Sequence, residues 1–524
     1  MSANSGSSQA EESFSFRVRL CDSLDDKPQI IVVYDWFTRV GTPPRAGNKA
    51  EVFVDGAQTW ASVSKDMQAA KEDIKIATWL CRPDIELVRP KDLAVTEPEE
   101  REDYRFGPLL ESKAAQGVKA WVLIWGMTYT PILNSWLRKW YWTPQDRIEL
   151  MEQDHPKFIG SYHQKTITFD GRVGYCGGMN IKENDWDTND HPVFDPHRNP
   201  HRTRKAFRRL VHEKKKHTKF LPRHDLTIRF EEPVVRDLSL NFTERWNQCV
   251  DAQRASLCGR FWMWVRLLLG HKPAQKLQPL PGSETLPALA GGQLAQIART
   301  TPHGEEGILD LYRRAIRNAR RYIYIENQYF RSPPLAEELA RACRKNPKLR
   351  LIAVVWPVND GKKSLTDPSA YWTAKTQDAI RQVRSDFQLS RLFSVDRSAD
   401  GSVQYVTVDM HAKVLIVDDV WLTVGSANIN ERGFKYEAEI NAAILDRETA
   451  RDLRVRLMAE HLKIAGHEAE SKLGDVDAAF DLWEEHCAAN EKARASGQVA
   501  ASNVHHFIQK SYNFPAFWVG AGLF

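Results

Sequence analysis

Apolar residues fall at Trp60, Val63, Met67 and Ala70, the three- and four-residue spacing of one helix face, and a β-rich run, KIATWL, follows and ends at Leu80. The same order returns in the second half, where Ile308, Leu311, Ala315 and Ile316 share a helix face and YIYIEN follows, ending at Asn327. Further strand candidates in the first half are KAWVLIW at Lys119–Trp125, TITF before Asp170, RVGYCGG, and LTIRF at Leu226–Phe230. In the second half they are LRLIAVVW at Leu349–Trp356, KVLIVDD, WLTVGSAN, and EINAAIL at Glu439–Leu445. Helical patterns follow several of these, at Val234–Trp246 and Arg451–His461. Strands alternating with helices predict layered α/β domains rather than a bundle or a sandwich.

The pattern divides the chain into a flexible lead at 1–14, a first domain at 15–255, a linker with surface loops at 256–302, and a second domain at 303–524 that carries a C-terminal extension. The stretch 271–293, HKPAQKLQPLPGSETLPALAGGQ, is rich in Pro, Gly and polar residues and reads as linker. The most apolar short segment, FWMWVRLLLG at Phe261–Gly270, is too short to span a bilayer. It reads first as a core helix, with a membrane-touching surface element as the alternative.

Composition changes the picture little. With 42% hydrophobic and 27% charged residues, the 524-residue chain is ordinary for a globular protein. Its first residues, MSANSGSSQAEESFSF, lack the basic start and apolar stretch of a cleaved secretory leader. The seven cysteines are scattered without C-x-x-C spacing, so free thiols are expected. The formal charge of +5 and the basic stretch at 197–224 suit anionic lipid and a nucleic acid backbone equally. Trp79, Trp121 and Trp125 lie in strand-like runs and read as core, whereas Trp136, Trp140 and Trp142 are candidates for a substrate entrance.

A repeated string decides more. HQKTITFD at His163–Asp170 and HAKVLIVD at His411–Asp418 share the form H-x-K-x-x-x-x-D, the second 248 residues after the first. Each aspartate is followed after six residues by a small-residue turn, GGMN at Gly177–Asn180 and GSAN at Gly425–Asn428, and the asparagines are also 248 apart. On a strand, residues two apart share a face, so His163 stands with Lys165 and His411 with Lys413. A proton-transferring imidazole beside a fixed cation suits a phosphodiester, whose charged oxygens the lysines can hold, with Asn180 and Asn428 adding neutral donors. Gly177, Gly178, Gly425 and Ser426 form the turns, and Asp170 and Asp418 are expected to tie strand to turn rather than to act on substrate.

The two strings resemble the duplicated HKD motifs of the phospholipase D superfamily. GGMNIKENDWD at 177–187, RHDLTIRFEEPVVRDLSLNFTERWN at 223–247, YIYIENQYF at 322–330 and GSANINERGFKYEAEI at 425–440 are similar to the eukaryotic-type phospholipase D core. The resemblance implies two α/β/α domains with central mixed sheets, related by a pseudo-twofold axis that brings His163 and His411 to opposite sides of one phosphate. It implies that His163 is the nucleophile, forming a phosphohistidine, and that His411 is the acid and then the base. Glu439, 28 residues after His411, and Asp187, 24 after His163, are expected to orient the histidines. His224, Asp225, Glu326 and Asn327 are candidates for the pocket wall. Asn180 stands where many eukaryotic members have aspartate, which puts the substrate pocket in question rather than the chemistry.

The expected activity is hydrolysis of the distal phosphodiester of glycerophospholipids to phosphatidic acid and free headgroup, with transphosphatidylation also open. A nuclease, a cardiolipin-synthase-like phosphatidyltransferase and a non-catalytic membrane scaffold are the alternatives. No cofactor or metal is expected, since neither H-E-x-x-H nor clustered carboxylates stand out in the sequence. The expected partner is a phospholipid membrane surface, met by a monomer without obligate nucleic acid. The absent leader suggests a bacterial effector, exported by a signal-independent route such as type VI secretion and restrained by an inhibitory immunity protein. With so short a lead, C2, PX and PH modules are not expected.

Overall fold

The computed structural model describes residues 16–21, 29–89, 104–126, 140, 147–157, 160–198, 221–280, 292–358, 368–398 and 400–510. Most of the basic stretch at 197–224, together with Trp136 and Trp142, lies outside them.

The first lobe is built on β1 (Arg45–Val54), β2 (Asp73–Thr78), β3 (Lys119–Trp125), β4 (Ile148–Gln153), β5 (Thr166–Phe169), β6 (Val173–Gly177) and β7 (Leu226–Glu231). The second uses β8 (Gln293–Thr300), β9 (Tyr322–Asn327), β10 (Arg350–Val355), β11 (Leu389–Arg397), β12 (Lys413–Val417), β13 (Trp421–Gly425) and β14 (Glu439–Leu445). Read outward from the joint, the first lobe runs β1-β7-β6-β5-β2-β3-β4 and the second β8-β14-β13-β12-β9-β10-β11. Each strand thus has its counterpart seven places on, and the directions match as well. β2, β3 and β4 are mutually parallel, as are β9, β10 and β11, while the remaining neighbours are antiparallel. The fold is therefore two α/β domains with mixed sheets, as the alternating pattern predicts.

The lobes meet by pairing equivalent strands. β1 and β8 run antiparallel, with Gln293 opposite Asn48 and Ala295 opposite Arg45 across a register shift, so the two sheets, with the further strands Val403–Thr407 and Val504–Phe507 paired to β11, become one 16-stranded sheet. Antiparallel pairing of like with like is a twofold relation. One apolar core crosses the joint: Val52, Leu226 and Ile228 of the first lobe cluster with Tyr324, Val424 and Ile440 of the second. Fully burying each such side chain contributes about 1.5–3 kcal/mol, so the lobes cannot part cheaply.

Helices cover both faces: α1 (Asp55–Ala69), α2 (Phe106–Ala115), α3 (Val235–Ala255), α4 (Leu257–Leu268), α5 (Gly307–Asn318), α6 (Pro333–Lys345), α7 (Pro368–Arg381), α8 (Arg447–Leu462), α9 (Gly466–Leu473) and α10 (Val476–Ala495). Because helices lie on both sides, central strands are buried along their whole length: β9 (YIYIEN) and β12 (KVLIV) have no exposed position. α1 buries Trp60, Val63 and Met67, the stripe that the spacing predicts.

Three expectations are corrected here. The stretch read as linker at 256–302 begins with α4 and ends in β8. The apolar segment at Phe261–Gly270 forms a surface helix rather than a core one, with Trp264 56% and Leu268 67% exposed. Trp140, a candidate for a substrate entrance, is buried and donates its indole N–H to Glu111 Oε1 at 2.8 Å. No helix among the described residues is long and apolar enough to cross a membrane.

Candidate active site

β5 and β12 are equivalent strands, and His163 and His411 each lie just before one, so the twofold relation carries one histidine onto the other. What fixes each ring comes from the opposite lobe. His163 N–H donates to Ala438 O at 2.8 Å, which puts the next residue, Glu439, against the imidazole, with Nδ1 3.0 Å from Oε1 and 3.2 Å from Oε2. His411 N–H donates to His224 O at 2.8 Å, and the next residue, Asp225, lies 2.6 Å from its Nδ1. With Nδ1 engaged by a carboxylate, Nε2 is the atom left to each ring for a ligand.

The turns are shaped to admit these acids. A Cβ at Gly178 would meet Asp225 Oδ1 at 2.2 Å, so only glycine lets the aspartate pass. The equivalent Ser426 instead uses its hydroxyl, which donates to Glu439 Oε2 at 2.5 Å. The longer glutamate is thereby held on two sides.

Lys165 and Lys413 each turn Nζ to the carbonyl of their own motif histidine, at 2.5 Å for Lys165. Both are buried, and burial lowers them, Lys165 to about 7 with the charge of Lys413 adding to the effect, and Lys413 to about 8 with that of Arg223 adding to it. Burial, together with the lysines, holds His163 and His411 well below the usual histidine range. Burial raises Asp225 to about 7 and Glu439 to about 8. The site is thus an enclosed group of cations and acids whose charged forms gain from a ligand carrying opposite charge. The carboxamide oxygens of Asn180 and Asn428 are buried without a hydrogen-bond partner, so each side chain has capacity to spare. Asn180 Nδ2 is committed to Asp185 Oδ2 at 3.2 Å.

Asp170 and Asp418 face away from this group. Asp170 accepts the backbone N–H groups of Lys71, Glu72 and Asp73, and Asp418 those of Arg320, Arg321 and Tyr322, all within 3.2 Å. Both adopt positive φ, 53° and 56°.

A phospholipase D family model matches residues 66–260, and a model described as cardiolipin synthase, PLD-like domain, matches residues 312–460. Together they take in both HKD strings and most of each lobe, leaving β1 and β8 outside. The chain belongs to the phospholipase D superfamily. Phospholipase D A of Dictyostelium discoideum is 25% identical over 461 residues, covering 79% of this chain and 34% of that protein. Phospholipase D alpha 4 of Arabidopsis thaliana is 24% identical over 456 residues, covering 71% of this chain and 58% of its own length. The phosphatidylserine synthase of Haemophilus influenzae Rd KW20 aligns over 86% of this chain and 95% of its own at 14% identity and a TM-score of 0.49, a loose superposition from which nothing follows for the chemistry.

Set in a phospholipase D frame, the remaining site residues sort themselves. Asp187, expected to orient a histidine of the motif, does not reach one. It lies 3.0 Å from His191 Nδ1 and accepts from Arg198 Nε at 2.9 Å and from Arg223 N–H at 2.7 Å. Asp225, expected in the pocket wall, takes that place at His411. The strand pairing shows why: Gly177 pairs Thr227 as Gly425 pairs Asn441, and the residues two before, Asp225 and Glu439, are equivalents. His224 and Glu326 are fully buried and pair with each other. His224 Nε2 lies 2.9 Å from Glu326 Oε2, and Glu326 also accepts from Tyr324 and meets His461 Nε2 at 2.7 Å. Asn327 is equally buried and braces the second turn, its Oδ1 accepting from Ile429 N–H at 3.0 Å.

Buried histidines and carboxylates do cluster, contrary to the reading of the sequence. Asp55, His191, His224 and Glu460 form one group, and His224, Glu326 and His461 another, each close enough to hold a metal ion. Ion pairing accounts for them: the carboxylates raise His191 to about 10 and His224 well above its ordinary value, while Glu460 is held well below its own. The groups sit behind the motif site and span both lobes.

Two residues at the site escaped the sequence reading. Trp79, read as core, is half-buried and sets its edge against His163 with ring centroids 5.9 Å apart. Arg223 is buried with Nη2 unpartnered, and its charge helps to depress His411.

Proposed function

We propose that the protein is a phospholipase D that hydrolyses the distal phosphodiester of glycerophospholipids, releasing phosphatidic acid and the free headgroup. The observation that carries this is the exchange of carboxylates between lobes, which sets two Nδ1-anchored imidazoles and two lysines in one enclosure. His163 Nε2 attacks phosphorus, the bond to the headgroup oxygen breaks, and His411, held low by burial and raised to its protonated form by the entering anionic phosphate, supplies the proton that oxygen takes. His411 then takes a proton from water, which attacks the phosphohistidine, breaks the P–N bond and returns His163. Lys165 and Lys413 hold the non-bridging oxygens through both displacements. Choline or ethanolamine released from phosphatidylcholine or phosphatidylethanolamine vesicles, with phosphatidic acid left in the membrane, tests the reading. Cleavage of single- or double-stranded DNA in place of the lipids would make the protein a nuclease, and headgroup exchange with phosphatidylglycerol would make it a transferase. Action after export, under the restraint of a dedicated inhibitory protein, belongs to the same proposal. Detection of the protein outside its producer tests that part.

A further inference from the structure

Ten large apolar side chains are exposed among the described residues, and five of them, Phe261, Trp264, Leu267, Leu268 and Leu269, fall within nine consecutive residues at α4. Apolar residues exposed singly are ordinary, whereas a contiguous patch marks a binding surface. At helical spacing Phe261, Trp264 and Leu268 form one stripe, 54%, 56% and 67% exposed. Phe261 and Trp264 stand ring to ring at 6.3 Å. Met263 and Arg266, on the other side of the helix, line a cleft with Ile148, Leu150 and Trp246.

The charge around the stripe identifies what covers it. From 252 to 283 the chain has no acidic residue, yet it carries Arg254, Arg260, Arg266, Lys272 and Lys276. Arg260 and Lys272, at the stripe's edge and just beyond the helix, are exposed. An aromatic and aliphatic stripe with a basic rim is complementary to a bilayer surface bearing anionic headgroups. At 12 residues α4 is about 18 Å long, against a hydrocarbon core of about 30 Å, so it can lie in the interface but not cross it.

We propose that α4 is a membrane-docking helix that seats Phe261, Trp264 and Leu268 among the acyl chains of an anionic bilayer, with Arg260 and Lys272 at the headgroups. The inference deepens the proposed phospholipid activity but does not depend on it, because it concerns the surface the protein sits on. α4 also connects to the chemistry. It follows α3 after one residue, and α3 holds the residue next to His163: Asn241 Nδ2 and Arg245 Nη1 donate to Gln164 Oε1 at 2.9 and 3.0 Å. A helix seated on the bilayer is thus joined to the frame of the nucleophile through about 15 Å of rigid helix from Arg245 to Ala255.

Flotation of the full chain with vesicles of phosphatidylcholine alone and of phosphatidylcholine with phosphatidylglycerol tests the proposal, using Trp264→Glu/Leu268→Glu and Arg260→Glu/Lys272→Glu. The apolar pair is expected to weaken binding to the anionic vesicles by about 100-fold or more. The charge pair is expected to erase the preference for anionic over neutral vesicles. Cleavage of a water-soluble phosphodiester such as p-nitrophenyl phosphocholine should persist in both variants, showing that they are folded. Binding unchanged in the apolar variant would overturn the proposal, as would an unaltered chain that is dimeric and becomes monomeric with that variant, since the stripe would then face a second copy. Vesicle binding that depends on α4, in a protein that cleaves no lipid, would uphold the docking helix and defeat the proposed activity instead.

Discussion

With Glu439 at Nδ1 of His163 and Asp225 at Nδ1 of His411, the two rings have matched settings, and the proposed mechanism gives them different tasks. His163→Ala and His411→Ala are each expected to lower kcat on vesicles by about 1,000-fold or more, because the reaction needs a nucleophile on one side of phosphorus and an acid on the other. Only His411→Ala should accumulate a phosphoryl adduct on His163 when the leaving alcohol is already acidic, and mass measurement of the quenched peptide reads it. Glu439→Gln and Asp225→Asn should each cost about 10- to 100-fold in kcat by loosening the ring they hold. Asp187→Asn should instead lower the melting temperature, since it weakens the partner of buried Arg198 and His191. A loss of kcat without loss of stability in that variant would put Asp187 at the chemistry after all. The lysines set a pH dependence. An anion in the site raises the depressed Lys165 and Lys413, so binding takes up protons and weakens as pH rises through about 7 and about 8. Calorimetry of inorganic phosphate binding in buffers of differing ionisation enthalpy should show that uptake, and proton release would contradict it.

At the level of elements, Asp170 and Asp418 show how motif residues can serve the frame. Each accepts three consecutive backbone N–H groups at the start of a central strand, so Asp418→Asn is expected to cost about 1–3 kcal/mol, read as a lower urea midpoint at unchanged slope. Elements with a strong local pattern were legible in the sequence: KAWVLIW, TITF and EINAAIL are strands at the bounds their β-branched and aromatic residues suggest. β4 was not, because IELMEQ places two glutamates in a short edge strand. The environment of α4 could not be read either, since the same apolar residues suit a core or a bilayer. Asp225 was missed for a reason of length. The acid lies 28 residues after His411 but 62 after His163, because the first lobe carries a long excursion between Asn180 and Arg223. Counting from the histidine fails there, whereas aligning DLTIRF with EINAAI would have found it.

Across the whole molecule, the buried ion network joins the lobes: Asp55, His191 and His224 come from the first, Glu326, Glu460 and His461 from the second. His191 is raised to about 10, above its unfolded value. Its contribution to stability is therefore complete below about 6.5 and is lost as pH rises through about 10. The melting temperature is expected to fall on that alkaline limb, and Glu460→Gln should flatten the fall while lowering the plateau. A limb as steep in the variant would remove the network from the account. The exchanged carboxylates have a consequence of another kind. A half-length ancestor with one lobe could have worked only as a pair of identical subunits, each lending its acid to its twin. In a single chain that loan is permanent and the requirement for identity falls away. The two sides are free to differ, and they do: glutamate with a serine clasp on one, the shorter aspartate past a bare glycine on the other. Symmetry sets two equivalent histidines at the site, and a single chain leaves them free to divide the labour that the proposed mechanism assigns.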